Sequence, residues 1–259
     1  MSEQLSTSGW SDALTRLHEQ EAGSNLSIDR YSRACAVEAI RDHGKTSGAI
    51  LELGSSSGFL LRDMRREFPA AAITGSDIIA DGIMRLGAID GVAVRALDIT
   101  NNDLADNAYD VVVAINVLEH VEDDAKAACE VARILRPGGI FVVEVPAGPS
   151  LYDGYDACLM HYRRYTKASL RALLKGAGLA LLEESAIGFV VYPAFWATKK
   201  LNRIRYGTEA NEELVRRAIR NVGESSLLSA SLAVEGHLRR LISLPFGIRQ
   251  TAVAAKPLQ

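Results

Sequence analysis

From Gly48 to Ile187 the chain alternates short apolar runs with stretches whose apolar residues recur at helical spacing. The runs at 48–54 (GAILELG), 71–78 (AAITGSDI), 92–99 (VAVRALDI), 109–118 (YDVVVAINVL), 140–147 (IFVVEVPA) and 179–187 (LALLEESAI) predict six strands. The stretches at 59–68, 80–89, 123–135 and 166–178 predict helices between them. The third is capped by Asp123 or Asp124; the fourth starts at a Thr166 cap and closes near Gly178. The sequence RPGG at 136–139 reads as a turn. Another helix is expected from Asp29 to His43, closed by Gly44 and Gly48, and a last strand at 249–256.

Strands alternating with helices imply a doubly wound α/β sheet with helices on both faces. Between the sixth strand and the last run, helical patterns fall at 209–221 and 225–242, and this block reads as an insertion. The expected organisation is an N-terminal helical cap (1–48), an α/β core (49–187), a helical insertion or lid (188–246) and the final strand of the core (247–259). Residues 1–26, rich in Ser, Glu and Gln, are expected to be partly loose.

Composition narrows the function classes. The 259 residues are 48% hydrophobic and 24% charged, which suits one large soluble domain with a core that needs no disulfide or metal. A net charge of −3 argues against a general nucleic-acid binder. The charge is uneven: from Gly188 onward there are 11 Lys/Arg against 5 Asp/Glu. Cys35, Cys129 and Cys158 stand far apart with no CxxC pair. That argues against a disulfide framework and a zinc site, so no metal is expected, and it fits a reducing, cytoplasmic location. The polar N-terminus predicts no signal peptide. The most apolar stretch, 186–198, contains Pro193 and is too short to span a bilayer.

The first strand runs into ILELGSSSGFLLRDM (50–64), a turn that can cradle a small polar ligand. A nicotinamide dinucleotide needs G-x-G-x-x-G; read from Gly54, the second and third positions are Ser56 and Phe59. Phe59 cannot give the close helix–strand packing that the third glycine provides. The pattern present is E-x-G-x-x-x-G, formed by Glu52, Gly54 and Gly58.

This turn resembles the first motif of class I S-adenosylmethionine-dependent methyltransferases, usually acid-x-G-x-G-x-G, with Ser56 in place of the middle glycine. Further elements are similar in order: Asp77 closing the second strand, LDIT (97–100), AINVLEHVED (114–123), LRPGGIFVVEVP (135–146) and HYRRYTKASLRALLKGAGL (161–179). The resemblance extends from Ile50 to Glu184. It implies a seven-stranded Rossmann-like sheet with the last strand antiparallel, and S-adenosyl-L-methionine as cofactor, released as S-adenosyl-L-homocysteine.

Cofactor contacts are then implied for Glu52, Gly54, Ser55, Ser56 and Gly58 in the turn. Asp77, with Ile78, would take the ribose hydroxyls, and Asp98, with Ile99, the adenine amino group. Asn116 ends the fourth strand, and Tyr31 and Arg33 would fold over the methionine end. Plainer roles stand beside these. Asp98 could cap a turn, Asn116 could satisfy backbone, and Glu119 and His120 could cap a short helix.

Methyl transfer from a sulfonium is an in-line displacement, catalysed mainly by alignment and exclusion of water. A base is needed only where the acceptor must lose a proton, and histidine titrates in the right range. His120 and His161 lie beside the expected cleft and are the candidates. Segment 151–165 places Tyr155, Tyr162 and Arg163 at the sheet's C-terminal edge, and Tyr192 opens the aromatic and basic stretch that follows. These four are the candidate acceptor-binding residues. The basic C-terminal block could be a lid over an anionic or lipid-linked acceptor, a surface resting on a membrane, or simple packing. The expected function is methyl transfer to a small molecule: a natural product, sugar or lipid-linked intermediate. The alternative is a non-catalytic S-adenosylmethionine-binding regulatory or partner protein.

Overall fold

A computed structural model of the chain describes residues 27–78, 89–210, 214 and 226–258. The helices expected at 80–89 and 209–221 fall almost entirely outside the described residues, as does the segment 1–26. The described elements are α1 (Ser27–His43), β1 (Ala49–Leu53), α2 (Phe59–Glu67), β2 (Ala72–Asp77), β3 (Val92–Ala96), β4 (Tyr109–Ile115), α3 (Asp124–Ile134) and β5 (Leu135–Pro146). They continue with α4 (Gly154–Cys158), α5 (Lys167–Gly176), β6 (Ala180–Ile187), α6 (Tyr192–Tyr206), α7 (Ser226–Arg239) and β7 (Arg249–Ala255).

The seven strands form one sheet in the order β3-β2-β1-β4-β5-β7-β6. All pairings are parallel except those of β7, which runs antiparallel to both β5 and β6. Side chains alternate across a strand, so successive residues feed opposite faces. Leu51, Leu53, Val112, Phe141 and Val143 pack on one face with Ala127, Val131 and Ile134 of α3 and Leu170 and Leu174 of α5. Ile50, Val111, Val113, Ile140 and Val142 pack on the other with Ala36, Val37 and Ile40 of α1 and Leu60, Leu61 and Met64 of α2. Two covered faces explain why residues 111–115 of β4 read as an unbroken apolar run.

Local signals set the helix ends. Asp123 accepts a hydrogen bond from the Lys126 N–H (2.9 Å) at the start of α3. Thr166 and Ser169 form a reciprocal capping box on α5. Gly178 follows α5 with φ +80°, as its position past a helix end requires. One expectation changes, and one stretch left without an element gains one. RPGG is not a separate turn: Leu135 pairs with Tyr109 and Ile140 with Val111, so residues 136–139 loop out within the span of β5. The stretch around Pro193 is a 15-residue helix, α6, with the proline in its first turn, where no N–H is needed for an intrahelical bond. Among the described residues no helix is long and apolar enough to cross a membrane.

The chain leaves β1 for β2 and β3, then returns to β4 on the other side of β1. The sheet order reverses there, and ligands of such sheets bind beyond the carboxyl ends of the strands at that point. Helix α1 closes over the same end. Ser32 Oγ lies 2.7 and 2.6 Å from the two carboxylate oxygens of buried Glu144 on β5. Arg249, at the start of β7, spans Glu144 (2.9 Å) and Asp29 of α1 (2.6 Å).

Candidate active site

Beyond β1 the backbone turns through three left-handed residues: Gly54 (φ +67°), Ser56 (φ +43°) and Gly58 (φ +69°). At Gly54 a Cβ would sit 2.7 Å from Val117 Cγ2, so both conformation and space demand glycine. Ser56 takes the left-handed region despite its Cβ, at a cost of about 1 kcal/mol. That is the physical reason a glycine suits this position. Asp77 Oδ2 accepts the Ser56 N–H (2.8 Å). The Ser55 N–H donates to the Ser76 carbonyl (2.8 Å), and its hydroxyl accepts the Ser76 N–H (3.1 Å). The turn is therefore stitched to the end of β2.

Glu52 is buried at the end of β1, and its Oε2 has no hydrogen-bond partner. Burial pushes its carboxyl up to about 8, helped by the nearby Asp77 charge. A buried carboxyl oxygen lacking a partner calls for a ligand that supplies one. Arg33 reaches the same turn: its Nε holds Asp63 of α2 (2.8 Å), and its guanidinium lies 5.5 Å from the Phe59 ring centroid. Tyr31 points elsewhere, packing with Ile28, Cys35, Ile187 and Leu232 between α1 and α7.

Asp77 is buried at the tip of β2, with Ile78 half-buried beside it. Asp98 makes a turn: its Oδ1 accepts both the N–H (2.8 Å) and the hydroxyl (2.7 Å) of Thr100. Ile99 packs against the core. Asn116 ends β4 in the left-handed region (φ +53°), donating its N–H to the Glu144 carbonyl (2.9 Å). Asparagine tolerates that conformation better than most residues.

The opposite wall comes from the turn after β4 and the segment after β5. Leu118–His120 forms a 3₁₀ turn, and the Tyr162 N–H donates to the Glu119 carbonyl (2.7 Å), joining the two segments. This brings His120 and His161 edge to face, ring centroids 4.6 Å apart. Glu119 is buried, and burial pushes its carboxyl up to about 8. His161 Nδ1 lies 3.0 Å from Asp156 Oδ1. Burial pulls the Asp156 carboxyl upward, but the His161 hydrogen bond and the Arg164 and Lys199 charges outweigh it and hold it well below the usual range. An ionised carboxylate can only accept, so Nδ1 carries the proton and Nε2 keeps its lone pair. Burial also holds His161 below its ordinary value, against the pull of Asp156.

A buried ionic network lies behind that histidine. Lys199 of α6 reaches Asp153 (2.6 Å) and Asp156 (3.0 Å), and Arg164 Nε donates to Asp156 (2.7 Å). All four side chains are less than 10% exposed. Tyr155, between the two acids, lies 4.7 Å from Lys199 Nζ measured to its ring centroid. Burial and the Asp29 charge push its phenol up to about 12, so it remains a donor. Tyr162 is exposed. Arg163 is held by Asp124 (2.7 Å) and the Glu122 carbonyl (2.5 Å). Tyr192 joins Phe189 and Phe246 in an aromatic group (centroids 5.1 and 4.8 Å). The structure thus gathers Glu52, Ser56, Gly58, Asp77 and Arg33 at one turn and His120, His161 and Tyr162 at another, with Tyr155 joined to the latter through Lys199 and Asp156. It gives Arg163, Tyr31 and Tyr192 packing partners of their own. Sequence reasoning missed Asp153, Asp156 and Lys199, and also Asp29, Glu144 and Arg249.

Comparison with known proteins agrees with this geometry. The family described as a methyltransferase domain matches residues 51–143. Residues 51–143, from β1 to β5, therefore match a methyltransferase domain. A probable S-adenosylmethionine-dependent methyltransferase of Mycolicibacterium smegmatis is 35% identical over 175 residues, 61% of this chain and 66% of that protein. A ubiquinone biosynthesis O-methyltransferase of Aeromonas salmonicida is 34% identical over 110 residues, 40% of this chain and 45% of that protein. The chain thus spans less than two thirds of the length of either relative. Among solved structures, phosphoethanolamine N-methyltransferase 2 of Haemonchus contortus, in complex with S-adenosyl-L-methionine, superposes with a TM-score of 0.62 at 18% identity. That superposition covers 95% of this chain and 57% of that one, and shows a shared fold. The cradle at Gly54, the buried Glu52 and the Asp77 carboxylate are of a kind that fits S-adenosylmethionine, the ligand of that solved structure.

Proposed function

We propose that the chain transfers a methyl group from S-adenosylmethionine to a small-molecule acceptor held between the glycine turn and the His120–His161 wall. The observation that carries this is the pair of buried carboxylates, Glu52 and Asp77, ending adjacent parallel strands around a left-handed turn. The cofactor supplies a methyl group already activated on a positively charged sulfur. Asp77 would accept hydrogen bonds from ribose hydroxyls, as acids at this position do. Glu52 would lose its proton to face the cofactor's positive charge, giving its unpartnered Oε2 a counter-charge.

On the acceptor side, His161 is neutral and oriented by Asp156, which suits it to take a proton from an acceptor hydroxyl. This favours an oxygen acceptor, in keeping with the O-methyltransferase relative. Helix α6, fastened behind this wall through Lys199, buttresses the Asp156 that orients His161. The test is release of S-adenosylhomocysteine when the protein meets cofactor and fractionated small-molecule extracts. Turnover lowered by His161→Ala at least 100-fold is expected. Tight cofactor binding without turnover in any fraction would instead indicate a non-catalytic binding protein.

A further inference from the structure

We propose that Glu119, His120 and His161 form a binding site for a divalent cation of the zinc class, placed to take an acceptor oxygen in its open position. One ligand atom from each of the three lies within 4.8 Å of the other two. Two imidazoles and one carboxylate, with a fourth position left for water or substrate, is the donor set of catalytic zinc centres. Tetrahedral bonds of about 2.0–2.1 Å set ligand atoms roughly 3.4 Å apart, so a small inward rotation of the side chains completes the set.

Two further observations point to a ligand here. Glu119 is 1% exposed, and its Oε2 is buried without a hydrogen-bond partner. Polar atoms so placed are rare in native proteins, and a cation would satisfy this one. Behind His161, Asp156 accepts from Nδ1 at 3.0 Å. Such a carboxylate behind a ligating histidine fixes the ring and presents Nε2 to the metal. The nearby cations do not oppose the site, because each already has a carboxylate: Arg164 holds Asp156, and Arg249 holds Asp29 and Glu144. His120 is only half-buried, which leaves the cation an approach from the cleft. None of the three ligands is a cysteine, so a search for cysteine spacing passes over the site.

The placement of an acceptor oxygen rests on the methyl-transfer reading, but the cation site does not. With Nε2 on the cation, His161 would position the acceptor instead of taking its proton directly. The test is titration of the full chain, stripped with chelator, with Co²⁺ followed by visible absorption and with Zn²⁺ in competition against a chromophoric chelator. One equivalent is expected in the wild type. Glu119→Gln and His120→Ala should each weaken binding at least 10-fold, whereas His43→Ala, a surface control, should leave it unchanged. Circular dichroism on each variant secures the fold. Failure of the wild type to bind one equivalent, or unchanged affinity in folded Glu119→Gln and His120→Ala, overturns the cation site. Calorimetry of S-adenosylmethionine on the same preparations reports separately on the methyl-transfer reading.

Discussion

Lys199→Met removes one charge from a place where water cannot replace it. Lys199 and its partners Asp153 and Asp156 are all under 10% exposed, and its Nζ lies 2.6 and 3.0 Å from the two carboxylates. Methionine keeps the length and packing of the stem beside Tyr155 and Phe195 but leaves Asp153 without its ion-pair partner and Asp156 with the Arg164 guanidinium alone among the full charges. Breaking a buried pair from one side costs about 3–5 kcal/mol. Asp156 keeps Arg164 and His161, and Asp153 keeps the Tyr155 N–H, so the lower end of that range, about 3 kcal/mol, is expected. With a urea m-value of about 3 kcal/mol/M, the midpoint should fall by roughly 1 M. Arg41→Met, which breaks the exposed Arg41–Glu67 pair, should cost less than about 1 kcal/mol. Hydrogen exchange should rise first in Tyr192–Tyr206, because Lys199 fastens that helix to the core. A midpoint shift no larger than that of Arg41→Met would refute the claim that this network anchors α6 and orients His161.

The remaining predictions concern the turn. Ser56→Gly relieves the left-handed strain at φ +43° and should stabilise the fold, with the gain of about 1 kcal/mol reduced by the added freedom of the unfolded chain; a thermal melt checks the sign. Glu52 titrates at about 8 when folded, against an ordinary value of 4.5. The folded state therefore holds a proton that the unfolded chain has released across that window. Stability contributed by the group is full below pH 4.5, falls as pH rises to 8 and is level above it. Glu52→Gln should remove this slope from urea melts recorded across the window; an unchanged slope would mean that Glu52 does not carry it.

The sheet was legible because its chemistry is local. Alternation at Ile50 and Leu51, or at Val111 and Val112, assigns each side chain to a face before any coordinate is known, and the structure sends them to opposite cores. The carboxylates Glu52 and Asp77 were legible for the same reason: each ends a strand whose apolar run marks its limit. Helix α6 was not, because Pro193 and a cluster of aromatics obscure the period, although a first-turn proline is compatible with a helix. The ionic network was not either. Lys199 meets Asp153 across 46 positions and Asp156 across 43, and a single sequence carries no record of such pairings. His120 and His161 were each identifiable by their place after a strand, but their edge contact depends on the Tyr162–Glu119 backbone bond that the fold creates. The departure at Ser56 was visible as a letter; its physical content, a left-handed serine held by Asp77, required the structure.

Asp77 is the residue on which cofactor binding most directly depends. Titration calorimetry of S-adenosylmethionine into the wild type and Asp77→Asn, which keeps an oxygen to accept the Ser56 N–H while losing the charge, measures its contribution. Two charge-assisted hydrogen bonds to a ribose, at about 1.5–3 kcal/mol each, predict affinity weakened by roughly 100-fold or more. Equal affinity in the two proteins, or no uptake by the wild type, would contradict it.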